Sequence, residues 1–78
     1  MSLVHAYVMI KAYTGDADKL KDEIQAIEGV TSSHIVAGDV DLIAKVEVES
    51  PAEVKTIAAT KIQNLEGVED TRTYVAMD

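Results

Sequence analysis

IQAIEGV at residues 24–30 returns as IQNLEGV at residues 62–68. Each copy carries apolar residues at helical spacing, then a glycine of the kind that ends a helix, then a valine that favours a strand. The chain therefore predicts the same helix-to-strand unit twice. Because the chain has only 78 residues, this repeated unit accounts for most of it and indicates the fold before any chemistry is considered.

The rest of the chain fits around the two copies. Apolar alternation predicts strands at residues 4–11, 30–37, 40–49 and 68–77, and helical spacing predicts helices at about residues 16–28 and from residue 51 to Gly67. Gly38-Asp39 is the signal of a two-residue hairpin turn between the second and third strands. Residues 50–53 read SPAE, a capping box with proline at the first helical position.

The predicted element order is βαββαβ. Right-handed crossovers and a central hairpin favour an α+β, ferredoxin-like fold with a four-stranded antiparallel sheet. We predict the strand order 4-1-3-2, both helices on one face of the sheet, and a single domain over residues 1–78.

Composition excludes several classes of function. The net charge is −7, from fourteen acidic and seven basic residues, so the chain by itself is a poor ligand for nucleic acid. It contains no cysteine, which excludes disulfides and zinc–thiolate sites. With no membrane span or signal-peptide pattern in the sequence, we expect a cytoplasmic protein.

One face of the predicted sheet is too apolar to remain fully wet. If the regular alternation faces the helices, the other face carries His5, Tyr7, Met9, Ile43 and Lys45, joined by either Tyr74 or Val75. Such a patch is typical of subunit interfaces. We therefore predict a dimer interface that contains His5, Tyr7, Met9 and Ile43.

Catalytic and metal-binding patterns are weak. His5 and His34 fall on strands that the third strand separates, and no spacing of histidines or carboxylates indicates a metal site. Ser32 and Ser33 have no evident base or orienting acid. We therefore predict no enzyme activity, no catalytic residue, no cofactor and no metal.

Two stretches are candidates for binding a small molecule. Asp39 and Asp41 flank Val40 at the central hairpin, and Thr71 and Thr73 share one face of the last strand. Aspartates are also ordinary turn residues, and threonine is also a good strand former, so each stretch has a purely structural interpretation.

Together these stretches resemble the effector-binding domain of the Lrp/AsnC transcription regulators, the RAM domain. The resemblance covers the chain from about residue 3 to residue 78 and is carried by GDVD at residues 38–41 and LEGV at 65–68, which leads into TRTYV at 71–75. It implies the same βαββαβ fold, dimers that pack sheet face to sheet face as a dimeric α+β barrel, and larger ring oligomers. It also implies that small effectors, mostly amino acids, bind between dimers and change the assembly.

Carried over by position, the resemblance assigns the effector site to Gly38, Asp39, Val40, Asp41, Thr71 and Thr73. The acidic pair suits an α-amino group, and the threonine hydroxyls or backbone N–H groups suit a carboxylate. We expect the hairpin and the start of the last strand to lie at opposite ends of the sheet, so that two subunits would have to share one ligand.

The sequence departs from the family pattern in two respects. Position 40 is often aromatic in the family and is valine here, and the N-terminal helix-turn-helix of the family is absent from this sequence. The prediction is a stand-alone effector-binding domain that senses an amino acid or modulates full-length Lrp/AsnC regulators by joining their assemblies. Two alternatives are a small monooxygenase-like enzyme of the dimeric α+β barrel type and a purely structural assembly partner.

Overall fold

The computed structural model describes residues 3–78, and residues 1 and 2 of the predicted domain lie outside that range. The second helix begins as an α-helix and continues as a π-helical segment. At the end of that segment the Gln63 N–H donates to the Ala58 carbonyl at 3.1 Å. The elements in chain order are β1 (Val4–Ala12), α1 (Ala17–Gln25), β2 (Val30–Ile35), β3 (Leu42–Val48), α2 (Pro51–Lys55) with its π-helical continuation (Thr56–Ile62), and β4 (Val68–Val75).

The four strands form an antiparallel sheet in the order β2-β3-β1-β4, which confirms the predicted topology. β1 and β3 occupy the centre, and β2 and β4 are the edges. Each helix returns the chain to the end of the sheet where it can begin another strand, as the split βαβ arrangement requires.

The core lies between the sheet and the two helices. Alternate residues of β1 and β3 face the helices, and the apolar stripes of α1 and the second helix cover them, as the sequence pattern predicted. Aliphatic side chains fill the core without phenylalanine or tryptophan, and the largest fully buried ones are Val8, Ile10, Leu20, Ile24, Leu42, Val46 and Ile62.

Both helices end earlier than predicted. α1 ends at Gln25 and the second helix at Ile62, so the glycines of the repeated stretches lie in the turns that lead into β2 and β4. Gly29 and Gly67 adopt φ values of +98° and +103°, in the left-handed region that glycine occupies without steric cost. The predicted capping box is also present, since the Ser50 side chain accepts from the Glu53 N–H and the Glu53 carboxylate accepts from the Ser50 N–H. Local sequence therefore sets the turns after both helices and the start of the second helix.

The predicted two-residue hairpin turn is wrong. β2 ends at Ile35 and β3 begins at Leu42, so residues 36–41 form a wider connection, the β2–β3 loop. Gly38 does not adopt the positive φ that a tight hairpin turn of this kind needs at glycine. Val40 consequently lies outside the regular alternation of β3, two residues before the strand begins.

The face opposite the helices, called the open face here, carries the predicted residues His5, Tyr7, Met9, Ile43 and Lys45. Register also assigns the last strand: Tyr74 lies opposite Tyr7 and joins the open face, whereas Val75 lies opposite Ala6 on the helix side. Tyr7 and Tyr74 are both exposed. The role of this face in dimerisation stays a prediction.

Candidate functional site

A cleft of about 510 Å³ lies at one end of the open face. The end of β1, the beginning of β4 and the β2–β3 loop meet there. We call it the open-face cleft, and its lining residues are Met9, Lys11, Asp39, Val40, Asp70, Thr71, Arg72 and Tyr74.

The topology brings these residues together within one chain. β3 and β4 both run antiparallel to β1, so both begin beside the C-terminal end of β1: Leu42 pairs with Ile10, and Thr71 pairs with the same residue from the other side. The expectation that the hairpin and the start of β4 lie at opposite ends of the sheet is therefore wrong. A single chain places Asp39 and Thr71 on the same cleft.

An irregularity in β4 lies beside the cleft. Lys11 pairs with Asp70, but its neighbour Ala12 pairs with Val68, so Glu69 is an extra residue on the β4 side. Bulges of this kind increase the local twist and change the direction of nearby side chains. This one lies beside Lys11 and Asp70, two of the charged residues that line the cleft.

The cleft contains charges of both signs without ion pairs between them. Lys11 and Arg72 supply two cations, and Asp39 and Asp70 supply two carboxylates. Among residues 3–78 the ion pairs within 4.0 Å are His5–Glu47 and Lys19–Glu23, so none involves these four side chains. The charged groups of the cleft are thus available to a ligand.

An apolar strip runs beside the charges. Met9 and Tyr74 project from β1 and β4 on the open face, and Val40 lies on the β2–β3 loop. The cleft therefore offers two positive groups, two negative groups and a hydrocarbon surface. Pockets for small ligands commonly combine an apolar lining with a few polar groups in volumes of about 300–1,000 Å³.

The structure brings together some of the predicted site residues and separates others. Asp39, Val40 and Thr71 line the cleft, whereas Gly38, Asp41 and Thr73 do not. Thr71 and Thr73 share a face of β4, as expected, but it is the helix-side face, since their partners are the buried Ile10 and Val8.

Two of the side chains predicted to bind the effector make hydrogen bonds within the chain. The Thr71 hydroxyl donates to Gln63 Oε1 at 2.6 Å, and Asp41 Oδ2 accepts from the Ala12 N–H at 2.8 Å. The Thr71 proton is therefore not available to a ligand carboxylate, and one oxygen of Asp41 already has a partner.

Sequence reasoning missed most of the charged lining. It does not point to Lys11, Asp70 or Arg72, and it assigns Met9 only to the dimer interface. The antiparallel register of β1 and β4 would have identified these residues, because it pairs Met9 with Arg72 and Lys11 with Asp70 on the open face. That register cannot be read from alternation alone, because alternation within a strand does not say which residues of the neighbouring strand lie opposite.

The histidine and serine residues considered in the sequence analysis lie outside the cleft. Within residues 3–78, no cluster of three or more histidine, aspartate or glutamate side chains could hold a metal ion. His34 is exposed on β2 opposite Ile43, and Ser33 is buried against the helices without a hydrogen-bond partner for its hydroxyl. No helix of residues 3–78 is both long enough and apolar enough to cross a membrane.

Comparison with known proteins places the chain in a family. The family model described as "Lrp/AsnC ligand binding domain" matches residues 5–78. The chain belongs to the Lrp/AsnC ligand-binding domain family. This agrees with the resemblance at residues 38–41 and 65–75. The matched range includes every residue that lines the open-face cleft.

Similar proteins agree with this assignment. The leucine-responsive regulatory protein of Haemophilus influenzae is 44% identical over 55 residues, a match covering 70% of this chain and 33% of the relative. The chain spans 33% to 51% of the length of the first curated relatives it matches. These relatives are regulators, and the match to this Lrp/AsnC domain concerns only part of each of them.

Solved structures share the fold. A protein from Thermus thermophilus superposes with a TM-score of 0.92 at 29% identity, covering 96% of this chain and 94% of its own. A transcriptional regulator from Neisseria meningitidis, solved as a complex with L-Met, has a TM-score of 0.85 at 13% identity, covering 96% of this chain and 50% of its own. At that low identity the second likeness concerns the fold alone.

Proposed function

We propose that this Lrp/AsnC domain binds an α-amino acid in the open-face cleft, between dimers, and that the bound effector changes its assembly. The observation that supports this most directly is the lining of the cleft. Two cations, two carboxylates and an apolar strip, all without internal ion pairs, surround about 510 Å³.

This lining is complementary to a zwitterion with a hydrocarbon side chain. Asp39 and Asp70 suit the α-ammonium, and Arg72 and Lys11 suit the α-carboxylate, since charge-assisted hydrogen bonds are the stronger ones and arginine can bind a carboxylate in bidentate fashion. Met9, Val40 and Tyr74 offer contact to an apolar side chain. The L-Met complex of the Neisseria regulator is consistent with a ligand of this class.

We also propose that the open face is a homodimer interface. Tyr7 and Tyr74 lie side by side on adjacent strands and are 38% and 51% exposed. Exposed aromatic side chains on a sheet face that no helix covers favour contact with a second copy. Met9 and Tyr74 belong both to this face and to the cleft, which gives a route by which effector binding can influence assembly.

The biological role that follows is regulation by assembly. A domain of this family that forms mixed oligomers with full-length Lrp/AsnC regulators would alter their effector response without contacting DNA itself. The net charge of −7 agrees with a role in which this chain does not bind nucleic acid directly.

A thermal-shift panel of the twenty amino acids, read together with native molecular mass, tests the proposal. A ligand that binds only the folded state raises the melting temperature by mass action. We expect at least one apolar amino acid to raise it and to change the oligomer distribution. The matching amine, which lacks the carboxylate, and the matching carboxylic acid, which lacks the amine, are controls that should give little shift. No shift with any amino acid at millimolar concentration would count against the proposal.

A further inference from the structure

Asp41 is one of the residues that the resemblance assigns to the effector, but its position indicates a different task. Its carboxylate does not line the open-face cleft. Instead, Asp41 Oδ2 accepts a hydrogen bond from the Ala12 N–H at 2.8 Å, in a partly buried position. A carboxylate that already accepts a backbone N–H would lose that bond on turning to a ligand.

The backbone of Asp41 is also fully engaged. Its N–H donates to the Ile10 carbonyl of β1 at 3.0 Å, and its carbonyl accepts from the Val36 N–H at 2.9 Å. In a regular antiparallel strand the N–H and C=O of one residue point toward the same neighbour. At Asp41 they bond to opposite sides, so this residue joins the end of β1 to the beginning of the β2–β3 loop.

The side-chain bond replaces a missing rung of the sheet. Continuing the register of Ile10 and Leu42 by two residues would place Ala12 opposite Val40. β3 begins only at Leu42, so Val40 does not pair there. The Asp41 carboxylate satisfies the Ala12 N–H in its place, and Val40 lies in the lining of the cleft.

We propose that Asp41 is a positioning residue of the open-face cleft. Its bonds to Ile10 and Ala12, the two neighbours of Lys11, hold the β2–β3 loop against the end of β1. In this position Asp39 and Val40 of the loop lie across the cleft from Lys11. In this role its acceptor oxygen is required and its negative charge is not. The inference rests on the proposed function for its binding readout, but the bond to Ala12 can be tested without a ligand.

Two substitutions separate positioning from direct contact. Asp41→Asn keeps an oxygen that accepts from the Ala12 N–H but removes the charge, whereas Asp41→Ala removes both. Asp39→Asn removes a carboxylate that does line the cleft, and Asp22→Asn on exposed α1 is the matched surface control. Binding of L-methionine and L-leucine is measured by calorimetry well below the melting temperature, and amide hydrogen exchange at Ala12 is measured by NMR.

We expect Asp41→Asn to retain Ala12 protection and effector affinity, and Asp41→Ala to lose the protection and weaken binding by roughly tenfold or more. Asp39→Asn should weaken binding while Ala12 stays protected. If Asp41→Asn loses affinity while Ala12 stays protected, Asp41 contacts the ligand and the inference is overturned. Unchanged affinity in Asp41→Ala would overturn it as well.

The experiment still tests the proposal if Asp41→Ala does not fold or if the wild-type chain does not bind the two amino acids. If Asp41→Ala does not fold, Asp41→Asn alone decides: affinity that is retained or lost together with Ala12 protection supports positioning, and affinity lost while Ala12 stays protected opposes it. If the wild-type chain binds neither L-methionine nor L-leucine, the affinity comparison cannot be made. Hydrogen exchange at Ala12 then still tests the hydrogen bond between Asp41 and Ala12. Protection that persists in Asp41→Ala would then refute the fastening role.

Discussion

Thr71 and Gln63 are joined by a 2.6 Å hydrogen bond from the threonine hydroxyl to the side-chain oxygen of the glutamine. Gln63 belongs to the second copy of the repeated stretch, immediately after the π-helical segment, and Thr71 belongs to the strand that follows it. The counterpart of Gln63 in the first copy is Gln25, which ends α1. The strand that follows, β2, carries no threonine at the place that corresponds to Thr71. The bond therefore marks where the two halves of the repeat diverge.

Thr71→Val should reduce the free energy of unfolding by about 0.5–1 kcal/mol, because it removes a partly exposed side-chain hydrogen bond. Thr73→Val is the matched control on the same face of β4, and it should have a smaller effect. Urea denaturation of both variants checks this. Equal losses in the two would show that the bond to Gln63 contributes nothing measurable.

Gly29→Ala should be strongly destabilising. A Cβ at this position would lie 2.6 Å from Ile57 Cδ1, and the φ of +98° is costly for alanine. We expect a loss of about 2–3 kcal/mol in the free energy of unfolding. Gly38→Ala is the control, since no atom lies within 4 Å of its added Cβ and its φ is ordinary, and it should be nearly neutral.

Ser33→Ala should stabilise the protein. Ser33 is 2% exposed, and its hydroxyl has no hydrogen-bond partner among the described residues. Removing a buried, unpartnered hydroxyl recovers a desolvation cost of about 1 kcal/mol. A higher urea midpoint with an unchanged denaturant slope is the expected result. A loss of stability would mean that the hydroxyl does find a partner in solution.

Tyr7→Lys should shift the protein from dimer toward monomer. Tyr7 lies beside Tyr74 on the open face, and a charge there would have to be buried in the proposed interface. Tyr13→Lys introduces the same charge at an exposed position outside the strands and should leave the dimer intact. Native mass spectrometry of both variants distinguishes the two results, and a Tyr7→Lys dimer of unchanged affinity would exclude this face.

Arg72→Gln should weaken amino-acid binding by roughly tenfold or more, because it removes a cation from the cleft that would face the carboxylate. Lys21→Gln, on α1 and away from the cleft, makes the same change in net charge and should leave affinity unaltered. Calorimetric titration with L-methionine provides the comparison. Equal affinity in both variants would mean that Arg72 does not contact the effector.

Much of the fold can be predicted from local sequence. Glycine at 29 and 67 allows the left-handed backbone of the turns that follow the two helices, and the alternation in β1 and β3 separates a buried face from an open one. These signals are local because they depend on a residue's own conformational freedom and on a period of two or 3.6 residues. The family resemblance depended on short motifs of the same local kind.

The composition of the cleft could not be predicted in the same way. Lys11, Asp70 and Arg72 come together through the pairing of β1 with β4, and the periodicity of one strand does not predict which residues of the other lie opposite. Asp41 stands in a recognisable motif, yet its carboxylate is bound to the Ala12 N–H of a distant strand. A side chain's partner depends on strands that meet only when the chain has folded.

The sequence by itself determined the order of the elements, the start of the second helix and the buried face of the sheet. The tertiary structure alone decided that the β2–β3 loop and the start of β4 share one end of the sheet, and which charges line the space between them. The physical reason is that conformational preference and hydrophobic period act over a few residues, whereas strand register and hydrogen-bond satisfaction act between segments far apart in the chain.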